Sequence, residues 1–123
     1  MKIYFVSPPE MQMKADILEH LEEHDVWFAL EPDTAKVLRE VDVVYQTRIR
    51  PERMADRGAH GRYTIDAAVL QTMKRDALIL HPLPRTVEID KAVDADPRAR
   101  YFTQATNGLY VRMALLTMLL DRD

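Results

Sequence analysis

Short apolar runs alternate with amphipathic stretches along the first two-thirds of the chain. Ile3 to Val6 is a brief β-rich run that ends in Ser7-Pro8-Pro9, a strand leaving into a turn. From Glu10 to Glu23, Met13, Ile17, Leu18 and Leu21 fall at helical spacing with charged residues between them, which predicts an amphipathic helix. Val26 to Leu30 predicts a second strand and carries the only tryptophan, Trp27. Pro32-Asp33-Thr34 offers a capping residue for a short helix through Ala35, Val37, Leu38 and Val41. Asp42 to Thr47 opens with a nearly unbroken apolar run, the pattern of a strand buried on both faces.

The arginine-rich stretch from Arg48 to Arg62, with a proline and two glycines, predicts a loop. Thr64 or Asp66 can cap a helix through Ala67, Val69, Leu70 and Met73, and Ala77 to Leu80 predicts a fourth strand running into His81-Pro82-Leu83-Pro84-Arg85. Strand–helix alternation at this spacing predicts an α/β fold, a Rossmann-like parallel sheet of about four strands with helices on its faces. Ligands of such sheets bind beyond the carboxyl ends of the strands. Thr47-Arg48-Ile49-Arg50 and His81 to Arg85 stand at those ends.

From Leu109 to Leu120 nearly every position except Arg112 and Thr117 is apolar, predicting a long apolar C-terminal helix. A helix apolar all round is normally buried on every side. Four strands leave too little surface to surround this one, so it predicts a protein partner or self-association. Asn107-Gly108 by itself reads as a turn ahead of it.

Composition narrows the classes. The chain has 123 residues, enough for one domain without staples, and 30% of them are charged, the balance of a globular protein. A formal net charge of −3 argues against nucleic acid as a partner. The absence of cysteine excludes disulfides, thiolate nucleophiles and thiolate-held metal. No apolar stretch reaches the ~18 residues a membrane span needs. The expected setting is soluble and cytoplasmic. His20, His24 and His60 read as surface residues without metal-ligand spacing, so no metal and no cofactor are expected. A nucleotide-binding reading fails because Gly58, Gly61 and Gly108 all lie far from the first strand, where a phosphate-cradling turn would need them.

The run His81-Pro82-Leu83-Pro84-Arg85 with Glu88-Ile89, the Thr47-Arg48 strand end before it, and Asp96-Pro97-Arg98 through Asn107-Gly108-Leu109-Tyr110-Val111-Arg112 after it resemble the aspartate carbamoyltransferases. The resemblance covers essentially the whole chain, in order and spacing. It favours the aspartate over the ornithine branch, whose members carry a cysteine in the run matching His81 to Arg85 and Ser-Met-Gly where this chain has Thr47-Arg48-Ile49. What it implies is attack of the L-aspartate α-amino group on the carbonyl of carbamoyl phosphate, with release of phosphate, as in pyrimidine biosynthesis. Catalysis of that kind rests on holding two anions together and stabilising a tetrahedral centre, with no cofactor.

By that resemblance Arg48 holds the aspartate side-chain carboxylate, for which a planar guanidinium is suited; the competing reading is a solvated loop arginine. Arg50 stands where the family usually has an aspartate-contacting glutamine, and Pro51 where a basic residue is common. Arginine cannot accept a hydrogen bond and repels the substrate ammonium, so an altered ligand and a drifted loop both remain open. Pro82 and Leu83 are implied to offer carbonyls to the carbamoyl NH2, with Pro84 following a cis peptide bond. Glu52 and Arg53 resemble residues that pair when two domains close over substrate. His81 is assigned to holding its loop by hydrogen bonds rather than to catalysis, and Arg85 and Glu88 to fixing the same loop. The family continues Asn107-Gly108 as helix, against the local turn signal.

The family's phosphate-binding motif and catalytic histidine have no counterpart in the sequence. The expectation is therefore a single Asp/Orn-binding-type domain over residues 1–123, inactive without an N-terminal carbamoyl phosphate-binding half. It is a piece of a split enzyme, a truncated or excised fragment, or a non-catalytic α/β module kept for protein contacts.

Overall fold

The computed structural model describes residues 1–48 and 61–120. Strands β1 (Lys2–Val6), β2 (Trp27–Glu31), β3 (Val43–Tyr45) and β4 (Leu78–Leu80) alternate with helices α1 (Ala15–Glu23), α2 (Thr34–Leu38) and α3 (Ala67–Thr72), and α4 (Tyr101–Leu120) follows. Both predicted caps form. The Asp33 carboxylate accepts from the Ala35 amide at 3.0 Å, and Asp66, rather than Thr64, accepts from the Val69 amide at 2.8 Å. Each satisfies a donor that the first helical turn leaves unpaired.

The helix expected from Glu10 begins later. Pro9–Met11 forms a 3-10 turn, Gln12 is extended, and α1 starts at Ala15. Side-chain bonds hold this detour: Gln12 Nε2 donates to the Ser7 carbonyl at 2.7 Å, and Ser7 Oγ to that of Met11 at 3.1 Å.

All strand pairing is parallel, but the single sheet is divided. β1 pairs β2 with Lys2 opposite Trp27, β3 pairs β4 with Val43 opposite Leu78, and no ladder joins the two pairs among the described residues. β1 and β3 instead line one cavity of about 780 Å³. The reason lies in where the core sits. Leu38, Ile65, Leu70, Met73, Ala77, Ile79, Ile89, Val93 and Tyr101 form one buried cluster around β3 and β4. No residue of β1, β2 or α1 is fully buried, so that layer has no core of its own to fix the seam.

Two further expectations are corrected. β3 is not buried on both faces: Val44 points inward, while Val43 and Tyr45 are about half exposed. Asn107-Gly108 makes no turn; α4 runs through both. The helical preferences of the neighbouring residues override the local turn signal. From Leu109 onward every large apolar side chain of α4 is more than half exposed, reaching 80% at Leu120. The helix expected to need cover has none within the described residues.

Candidate functional site at the strand ends

Because β3 and β4 are parallel and in register, their carboxyl ends open on the same side. The ladder extends one step beyond the strands, with the Gln46 amide donating to the Leu80 carbonyl at 2.9 Å. Continuing that register sets Thr47-Arg48 and Pro82-Leu83 at the ends of adjacent strands. Arg48 is exposed and lines the cavity together with Ser7, Tyr45, Thr47 and Tyr63.

The loop after β4 is held by a network of buried polar groups. His81 and Glu88 are both essentially inaccessible to solvent. The Leu83 amide donates to His81 Nδ1 at 2.8 Å, so that nitrogen accepts and Nε2 carries the proton. Nε2 then donates to Glu88 Oε1 at 2.9 Å. Thr86 completes the acceptor set through its amide, 3.0 Å to Oε1, and its hydroxyl, 2.7 Å to Oε2. Burial alone would raise the Glu88 carboxyl, but the bonds from the Thr86 hydroxyl, the backbone amides of Glu88 and Thr86, and the His81 ring outweigh it. The carboxyl is held below its ordinary value. Both ring nitrogens of His81 are thus engaged in holding the loop.

At the tip of this loop the Leu83–Pro84 bond is cis, and Leu83 has φ 48°. A non-glycine residue in the left-handed region is held there by its surroundings, and such residues cluster at functional sites. Here the His81 ring and the partial burial of Leu83 against the core supply the hold. Among the described residues nothing donates to the Pro82 or Leu83 carbonyl oxygens. They are acceptors in want of a donor.

Tertiary structure sorts the arginines. Arg98 donates to both Asp96 oxygens at 2.8 Å and reaches the carbonyls of Leu70 at 2.9 Å and Lys74 at 3.1 Å. Its bonds hold the Asp96 carboxyl below its ordinary value. Arg85 binds Asp94 and the Ile89 carbonyl. The Tyr101 hydroxyl also donates to Asp94. Burial first, then that bond and the Asp94 charge, push the Tyr101 phenol far up. Arg48 has no partner among the described residues. Among the described residues it is the guanidinium at the strand ends that no ion pair or hydrogen bond occupies.

Arg50, Glu52 and Arg53 lie outside the described residues. Gln104 and Gln46 belong to the site's frame without having been singled out in the sequence. Gln104 Oε1 accepts from the His81 amide at 3.0 Å, and Gln46 Nε2 donates to the Tyr63 carbonyl at 3.2 Å. Their partners lie 23 and 17 residues away, distances no local pattern reveals.

Residues 1–119 match the family described as aspartate/ornithine carbamoyltransferase, Asp/Orn binding domain. The chain is 50% identical over 97% of its length to the chloroplastic aspartate carbamoyltransferase of Oryza sativa subsp. japonica, covering 34% of that protein. It is 40% identical over 98% of its length to the aspartate carbamoyltransferase catalytic subunit of Alkaliphilus oremlandii, covering 38% of it. Its fold is similar to that of aspartate transcarbamoylase from Trypanosoma cruzi in complex with carbamoyl phosphate and aspartate. There the TM-score is 0.83 at 36% identity, over 94% of this chain and 38% of the other. The chain spans about a third of the length of these relatives.

Proposed function

The chain belongs to the aspartate/ornithine carbamoyltransferase family through its Asp/Orn binding domain, and from that premise we propose that it is the aspartate-holding side of an aspartate carbamoyltransferase. The observation that carries the reading is a guanidinium at the end of β3, without a partner among the described residues, beside a hydrogen-bonded loop at the end of β4 whose Pro82 and Leu83 carbonyls accept from none of those residues. Arg48 grips the side-chain carboxylate of L-aspartate through two parallel charge-assisted hydrogen bonds. The Pro82 and Leu83 carbonyls accept from the carbamoyl NH2. This turns the carbamoyl carbon toward the aspartate amine, whose lone pair forms the new C–N bond as the bond to phosphate breaks.

One arginine cannot order both substrates. Carbamoyl phosphate binding, and with it turnover, is assigned to an N-terminal half that docks against this domain. Activity alone is therefore expected to be absent. The reading places the domain in the cytoplasm; fractionation that finds it in an organelle would overturn that point alone.

The test measures N-carbamoyl-aspartate formation by this chain, by a separately made N-terminal half, and by the mixture. Activity confined to the mixture and lost with Arg48→Ala supports the proposal. A folded, docked pair without activity favours the second reading, a module kept for protein contacts, which the uncovered apolar surface of α4 recommends.

A further inference from the structure

Three potential metal ligands meet on a surface that the proposed reaction does not use. His20, Glu23 and His24 occupy the last turn and cap of α1, at i, i+3 and i+4, and all three are exposed. The sequence reading gave these histidines no ligand spacing. Yet 3.6 residues per turn sets positions three and four apart side by side. One ligand atom from each residue lies within 4.8 Å of the others, and the two imidazole rings are 4.3 Å apart.

The tautomer of His24 is suited to metal binding as well. His24 Nδ1 lies 2.8 Å from the His20 carbonyl oxygen. A carbonyl only accepts, so Nδ1 is the protonated nitrogen and Nε2 of the neutral ring keeps its lone pair. Metal-binding histidines commonly donate their other ring N–H to a backbone carbonyl in this way, which fixes both tautomer and ring orientation. The local field agrees. Between Ala15 and Val26 the chain carries Asp16, Glu19, Glu22, Glu23 and Asp25 and no lysine or arginine. The negative end of the α1 dipole adds to their attraction for a cation.

We propose that His20, Glu23 and His24 form a binding site for a divalent transition metal of the Zn2+ class. Two imidazole nitrogens with one carboxylate oxygen suit Zn2+, whereas Mg2+ and Ca2+ prefer oxygen alone. Adjacent ligands around tetrahedral zinc sit about 3.3 Å apart, so small rotations of these exposed side chains close the set. A water fills the fourth position. α1 ends where β2 begins, and Trp27 pairs with Lys2 at the amino edge of the strands. Arg48 and Leu83 leave the carboxyl edge. The metal accordingly staples the last turn of α1 and takes no part in the carbamoyl transfer chemistry.

The experiment is calorimetric titration of ZnCl2 into the full chain, made without a histidine tag and stripped with chelator, with thermal unfolding followed in parallel. One saturable equivalent and a higher Tm are expected with Zn2+, and neither with Mg2+. His20→Ala and His24→Ala each weaken binding by about tenfold or more, and Glu23→Gln weakens it by less. His60→Ala leaves it unchanged. Far-UV circular dichroism verifies that the variants are folded, as substitutions of exposed side chains should be. No saturable Zn2+ binding, binding indifferent to His20→Ala and His24→Ala, or binding abolished by His60→Ala would each overturn the proposal.

Discussion

Replacing Glu88 tests whether the loop that presents Pro82 and Leu83 is held in the way the structure implies. Besides the bond from its own backbone amide, its carboxylate accepts three hydrogen bonds, from His81 Nε2, the Thr86 amide and the Thr86 hydroxyl. Glu88→Ala removes all three acceptor contacts. The His81 N–H is then stranded where no solvent reaches it, a loss of about 1–3 kcal/mol. Thr86 is exposed and recovers part of its loss from water, so its two bonds add roughly 1 kcal/mol each. The total of about 3–5 kcal/mol matches what breaking a buried pair usually costs.

Glu88→Gln behaves differently. The amide oxygen still accepts from His81 and the Thr86 amide, and the new NH2 group can donate to the Thr86 hydroxyl oxygen. Only charge assistance is lost, about 1–1.5 kcal/mol. Urea unfolding followed by far-UV circular dichroism is the assay, because Trp27 is 48% exposed and reports poorly on burial. In a His81→Ala background, Glu88→Ala should cost about 1–3 kcal/mol less than it does in the native chain, since the stranded donor is already gone. A Glu88→Ala variant within 1 kcal/mol of the native chain, or a glutamine variant as costly as alanine, would refute the reasoning.

Four other outcomes follow from the same contacts. Arg48→Ala should leave stability within about 0.5 kcal/mol, being exposed, while lowering aspartate affinity of the reconstituted pair about 10–100-fold; titration of aspartate into both variants decides it. Arg98→Ala should cost about 2–3 kcal/mol in the urea assay, because the carbonyls of Leu70 and Lys74 lose their donor. Glu88 and Asp96 have folded pKa values below their ordinary 4.5 and 3.8, so their contribution is complete above those values and disappears as pH falls through the folded ones. Tyr101 is raised from 10.0, so stability should also fall as pH rises past 10.0, where the unfolded chain ionises first; urea midpoints measured across pH would show both limbs. Leu116→Glu and Leu119→Glu sit at positions 58% and 67% exposed; they should leave the Tm of the chain alone unchanged while abolishing co-elution with the N-terminal half.

The sequence by itself determined the elements and their order. Apolar periodicity located the strands within a few residues and missed the starts of α1 and α4 by more, while Asp33 and Asp66 announced two helix starts because capping depends on one side chain and the turn that follows it. Strand–helix alternation also set the edge of the strands at which to look for a ligand. Tertiary structure decided everything that depends on residues distant in the chain. Arg48, Arg85 and Arg98 look alike in the sequence. Only folding brings Asp94 to Arg85 and the distant carbonyls of Leu70 and Lys74 to Arg98, leaving Arg48 without a partner among the described residues. Likewise the seam between β1 and β3 follows from how little core lies against β1 and β2, and the exposure of α4 from the lack of any described segment over its second half. A pattern of apolar residues states that a surface must be covered. Which surface covers it is a property of the folded arrangement, because burial is shared between segments rather than carried by any one of them.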